Sequence, residues 1–122
     1  MEEIKELQGV WEVTGGEVNG APIAPEDIPG IVVTIEGDTY KVVTQTGTDR
    51  GGFTVNPSQP PKQMDIRPET GSDAGRTVLA IYELGPDNLR VCYAAPGGER
   101  PRAFATEPDS GRLVITYKRR QQ

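Results

Sequence analysis

The sequence predicts an all-β fold: a single antiparallel up-and-down β-barrel of about eight or nine strands, residues 1–122 forming one domain. A short helical turn precedes it at the N-terminus. Three observations carry this. Short stretches with alternating or β-branched residues recur at regular spacing from Trp11 to Arg119, the pattern of a sandwich or barrel. Fifteen Gly and eleven Pro punctuate the chain, a density of turns that stays below the roughly 25–30% typical of low-complexity disorder. Successive stretches are joined as hairpins, which favours an up-and-down barrel over a Greek key with its longer crossings.

Glu2 to Leu7 has Ile4 and Leu7 three apart, on one face of one or two helical turns. It reads either as a lid over a barrel end or as a frayed terminus. Gly9 ends it. Trp11-Glu12-Val13-Thr14 then alternates, placing Trp11 and Val13 inward. Gly15-Gly16 suggests a bulge or bend, which would let the first strand pair on two sides and close the barrel. Asn19-Gly20 is a turn, and Ala21–Gly30 a loop with room for at most one helical turn from Pro25.

Ile31–Glu36 is β-branched in five of six positions, a strong strand pattern. Glu36–Thr39 turns it back into Tyr40–Gln45. A polar loop containing Gly47 and Asp49 leads to the strand Gly52–Asn56. Pro57, Pro60 and Pro61 lack the N–H a ladder needs and mark a connection, and Lys62–Arg67 alternates with Met64 and Ile66 on one face. After a polar loop from Pro68 to Gly75, Thr77–Leu84 is the most apolar run and reads as a central strand covered on both faces. Gly85-Pro86-Asp87 turns it into Asn88–Ala94, with Leu89, Val91 and Tyr93 on one face. The loop Ala95–Pro101 precedes a short strand around Ala103-Phe104-Ala105, the turn Pro108–Gly111 follows, and Leu113–Arg119 is the last strand.

Composition narrows the function. With 18 acidic and 13 basic residues, net charge −5, the chain lacks the clustered Lys and Arg that bind phosphate backbones, so nucleic acid is not an expected partner. Lys118-Arg119-Arg120 is too short to reverse this. No apolar run approaches the roughly 18–20 residues of a membrane span, and Met1–Glu6 has neither the basic start nor the apolar stretch of a signal peptide. The chain as given therefore reads as soluble and cytoplasmic, an exported parent protein aside. There is no histidine and one cysteine, Cys92. That excludes Ser-His-Asp and Cys-His nucleophile systems, an internal disulfide and a multi-cysteine metal site. Neighbouring carboxylates such as Glu26/Asp27 point apart, and Asp73-Ala74-Gly75 lacks calcium-loop spacing, so neither metal nor cofactor is expected.

The Gly9-x-Trp11 step in the first strand, the meander, and basic residues ending the last strand resemble the lipocalin and fatty-acid-binding (calycin) barrels. A closer resemblance, over nearly the whole chain, is to the small uncharacterised lipocalin-like domain abundant in planctomycete bacteria. Leu7-Gln8-Gly9-Val10-Trp11, Asn56–Ile66, Ile81-Tyr82-Glu83-Leu84, Val91-Cys92-Tyr93-Ala94, Glu99-Arg100-Pro101 and Phe104 carry it. The resemblance implies a structural clasp of Gly9 and Trp11 with Arg119 or Arg120, one of which lies across the Trp11 ring. Departures matter as well. Residues 20–30 are too few for the helical pair of fatty-acid-binding proteins. Their carboxylate-holding Arg-x-Tyr is absent too, because Ile115 stands two places before Tyr117.

Tyr40, Phe53, Tyr82, Tyr93 and Tyr117 are candidate ligand contacts, since an aromatic-lined cavity with a few hydroxyls suits a small molecule. Alternatively they fill the barrel, because about eight strands leave room for side chains or one small ligand. Trp11 closes the barrel floor or touches a ligand. Arg100 either reaches over the mouth to an anionic ligand or braces its loop. Cys92 alternates with Arg90 and Ala94 and reads as half-exposed. Function resolves into three readings. The first is a non-enzymatic binding module for a small, partly apolar molecule in the barrel mouth. The second is a structural or protein-interaction domain with a filled barrel, and the third a cavity isomerase using tyrosine and carboxylate.

Overall fold

The computed structural model describes residues 2–18, 20–23, 31–44, 47–56, 58, 62–70, 74–95, 97–104, 106 and 112–120. Helix α1 (Glu2–Leu7) leads into β1 (Gly9–Val18), β2 (Ala21–Pro22), β3 (Val32–Glu36), β4 (Thr39–Thr44) and β5 (Gly47–Asn56). They continue as β6 (Lys62–Pro68), β7 (Val78–Leu84), β8 (Asn88–Tyr93) and β9 (Leu113–Arg119). The sheet order is β2-β1-β3-β4-β5-β6-β7-β8-β9, and β1 also pairs with β9. Eight strands thus close an antiparallel up-and-down barrel, with β2 added as a ninth strand.

Closure depends on β1. Gly9–Glu12 pairs with β3 on one edge, while Trp11–Val18 pairs with β9 on the other. The register with β9 shifts between Val13 and Gly15, the bulge that the paired glycines predict. Gly16 is required for a second reason: a Cβ there would run into the Val114 carbonyl and approach the Ile23 side chain at 2.7 Å. Beyond the bend, Glu17 and Val18 pair with Pro22 and Ala21 of β2.

Period-two alternation sorts side chains between two apolar clusters. The inner one includes Leu7, Trp11, Val13, Phe53, Met64, Tyr82, Val91 and Tyr117. A smaller outer one joins Ile81, Cys92 and Val114 beneath Phe104. The apolar run of β7 is therefore covered on both sides, as its sequence predicts: Ala80 and Tyr82 face in, Ile81 faces out.

Four expectations need correction. Ala21-Pro22, expected to open a loop, instead pairs with the end of β1 as β2. The polar stretch from Gly47 is no loop but the first half of β5, paired with β4 from Thr44↔Gly47 to Thr39↔Gly52. Residues 47–50 are exposed, so no inward–outward alternation marks them as a strand. No strand forms at Ala103-Phe104, which lie in a bend, because Phe104 packs on the outer face of the barrel instead of pairing along an edge. Cys92 is fully buried, not half-exposed, because the segment after β8 covers it. A helical turn from Pro25, the connection Pro57/Pro60/Pro61 and the turn Pro108–Gly111 lie outside the described residues.

Strand directions place α1 and the turns at Gly37-Asp38 and Pro86-Asp87 at one end of the barrel. The connections following β1, β6 and β8 lie at the other.

Candidate functional site

The floor is built around Trp11, which is completely buried. A six-residue helix leaves its last carbonyls without intrahelical partners. Here side chains from the barrel supply them. Trp11 Nε1–H donates to the Leu7 carbonyl at 2.9 Å, and Arg119 donates from Nη1 to Gln8 O and from Nη2 to Glu6 O, both at 2.6 Å. The same guanidinium lies 4.2 Å from the Trp11 ring centroid, a cation–π arrangement. Gly9 makes this possible in two ways. Its φ of 122° lies where L side chains are strained, and a Cβ would stand 3.2 Å from Arg119 Nη1. Gln8 extends the clasp: its amide donates to Gly37 O and accepts from Gly37 N–H, pinning the β3–β4 turn. Helix α1 is thus a plug tied to three elements. Arg120 does not share the ring; its Nε donates to Glu12 at 2.6 Å on the outer surface.

Above the floor the barrel is hollow. A cavity of about 440 Å³ is lined by residues that include Trp11, Tyr40, Phe53, Met64, Val91, Tyr93, Ile115 and Tyr117, within the roughly 300–1,000 Å³ usual for small-molecule pockets. The described lining contains no charged side chain.

Two of the three tyrosines on its wall pair through their hydroxyls. Tyr93 on β8 stands opposite Leu113, and Tyr117 on β9 stands opposite Leu89. The two side chains lean toward each other across this stagger, and their hydroxyls meet at 2.7 Å. Burial pushes Tyr117 up to about 12; its hydrogen bond to Tyr93 lowers it in part, and Tyr40 adds to the rise. Tyr93 is raised well above its ordinary 10.0, first by burial, then by Tyr117 and Tyr40. Both are neutral near pH 7, so they serve as hydrogen-bonding groups.

Of the sequence-derived candidates, Tyr40, Phe53, Tyr93 and Tyr117 come together on the cavity wall. Tyr82 and Arg100 do not. Tyr82 is buried in the packed core, with the Lys62 ammonium 5.9 Å from its ring centroid. Arg100 is a brace on the outside of the barrel. It donates to the Ala80 carbonyl at 2.9 Å and the Met64 carbonyl at 3.3 Å, and pairs with Asp65 at 2.6 Å.

That brace belongs to a strap. From Arg100 over β6 and β7 the chain runs to Phe104, which caps the outer cluster under the Arg90 guanidinium at 4.2 Å. It continues to Thr106, which donates to Glu17 and accepts from the Gly20 N–H. Among the described residues, no three His, Cys, Asp or Glu side chains gather where a metal ion could be held, and no helix is long and apolar enough to cross a membrane.

No protein-family model, curated protein or solved structure matches this chain. Sequence reasoning missed most of the wall, notably Val33, Ile35, Val42, Pro68, Leu113 and Ile115. Alternation marks several of them as inward-facing, but whether an inward side chain fills the barrel or borders an opening depends on strand stagger.

Proposed function

We propose that this domain is a non-enzymatic binding module of lipocalin-like type, holding a small, partly apolar molecule in the barrel. The observation that carries the reading is the cavity of about 440 Å³, walled by apolar and aromatic side chains above the Trp11 floor. A barrel meant only as a scaffold gains stability by filling such a space, since each buried void forfeits packing contacts. The chemistry of the wall favours binding over catalysis. Its described residues include no carboxylate to act with a tyrosine as acid and base, and tyrosines raised this far stay protonated near neutrality and so supply no base themselves.

The likeness of Leu7–Trp11 and the Arg119–Trp11 stacking to the lipocalin clasp supports the same assignment. Native mass spectrometry of the purified protein tests it. The expected result is a bound small molecule, or uptake of an added apolar one, at one copy per chain. A barrel that binds neither a cellular nor an added apolar molecule would count against the proposal.

A further inference from the structure

We infer that the cavity selects uncharged molecules bearing a carbonyl-type oxygen, which accepts the hydrogen bond that the Tyr93–Tyr117 pair still has to give. This rests on the binding reading above and adds the class of ligand. Two phenolic hydroxyls carry two O–H donors, and their mutual contact at 2.7 Å uses one. Among the described residues neither hydroxyl has another hydrogen-bond partner. One donor is therefore left over on a wall whose described side chains are otherwise apolar except for the Tyr40 hydroxyl.

Each ligand class meets that donor differently. A hydrocarbon fills the space and leaves the hydroxyl without an acceptor, which is costly away from water. A carboxylate could accept the bond, yet it would lie in an apolar cavity with no cation among the described lining residues, an arrangement that strongly disfavours the ionised form. An alcohol accepts the bond but brings a further proton, for which the pair offers only the phenol oxygens, weaker acceptors than a carbonyl. A ketone, ester or tertiary-amide oxygen accepts without either penalty. The raised Tyr93 and Tyr117 agree, because both hydroxyls keep their protons across the physiological range.

The protein carries its own reporter, since the lone tryptophan, Trp11, borders the cavity. The test titrates prodan, an uncharged naphthyl ketone, and follows energy transfer from Trp11. The parallel probe is dimethylaminonaphthalene, which lacks the ketone, and the competitor is decanoate. Wild-type protein is expected to bind prodan more tightly than dimethylaminonaphthalene and to release little of it to decanoate. The double variant Tyr93→Phe/Tyr117→Phe keeps the ring shapes and is expected to bind prodan roughly tenfold more weakly, with dimethylaminonaphthalene unchanged. The single variants, Tyr93→Phe and Tyr117→Phe, repeat the comparison should the double variant be unstable. Equal affinity of wild type for the two naphthalenes, prodan affinity insensitive to loss of the hydroxyls, or ready displacement by decanoate would overturn the inference while leaving the cavity reading intact. Binding of neither naphthalene would overturn both.

Discussion

Arg119 stacks its guanidinium 4.2 Å over the Trp11 ring while its Nη1 and Nη2 hold the Gln8 and Glu6 carbonyls. One side chain from the last strand therefore fixes both the floor of the barrel and the helix that plugs it. Removing Trp11 leaves a large void and an orphaned Leu7 carbonyl. Trp11→Ala is expected to cost about 3–5 kcal/mol, and Arg119→Ala about 2–3 kcal/mol from lost stacking and two lost charged hydrogen bonds. Arg119→Lys should recover only part, because an ammonium lacks the planar fork that reaches both carbonyls. Urea unfolding followed by circular dichroism measures all three. A near-neutral Trp11→Ala would show that the ring is not structural.

Gly9→Ala places a methyl group at φ 122° and 3.2 Å from Arg119 Nη1. The expected loss is at least about 1 kcal/mol, seen as a lower Tm. In an Arg119→Ala background the steric part should vanish and only the backbone part remain.

The buried tyrosines give the barrel an alkaline limit. Tyr117 is raised from 10.0 to about 12, and Tyr93 is raised as well. A raised folded-state value means that the protonated form is favoured by folding. The associated stability is fully present below pH 10.0 and is lost as pH rises from there through about 12. Thermal melts across this window should fall more steeply for wild type than for Tyr93→Phe/Tyr117→Phe. Tyrosinate absorbance should show at least two of the four tyrosines ionising late.

Arg100 braces the strap and stands off the cavity. Arg100→Ala should lower stability by roughly 1–2 kcal/mol through its partly buried bonds to carbonyls and Asp65. Affinity for an apolar dye should be unchanged. A selective loss of anionic ligands would instead return Arg100 to the mouth of the barrel.

Cys92 is sealed beneath Phe104. Native protein should react with a thiol reagent only on opening, and Phe104→Ala should speed labelling several-fold while far-UV circular dichroism stays the same. Fast labelling of the wild type would contradict the packing of the strap.

The barrel was legible because its causes are local. Alternation put Trp11 and Val13 inside, the Gly15-Gly16 pair announced the bulge, and the two-sided apolar run of β7 announced a covered strand. What failed had non-local causes. Gly47–Arg50 is exposed and so carries no pattern. Phe104 packs by crossing the outer face of the barrel, and the burial of Cys92 follows from that crossing. For the site, four aromatic candidates were recoverable from inward alternation. The meeting of Tyr93 with Tyr117 was not, because neither stands opposite the other in the register. Nor was the displacement of Tyr82 and Arg100 from the wall, since both positions depend on how the strands stagger and how the chain after β8 wraps.

The central claim is that a ligand enters the hollow above Trp11, and methyl NMR during a prodan titration tests it most directly. Ile35, Ile66 and Ile115 border the cavity, while Ile81 and Val114 face the outer cluster. The account predicts saturable shifts at the first three, with the Ile81 and Val114 methyls still. Shifts confined to Ile81 and Val114, or none at saturating probe, would contradict it.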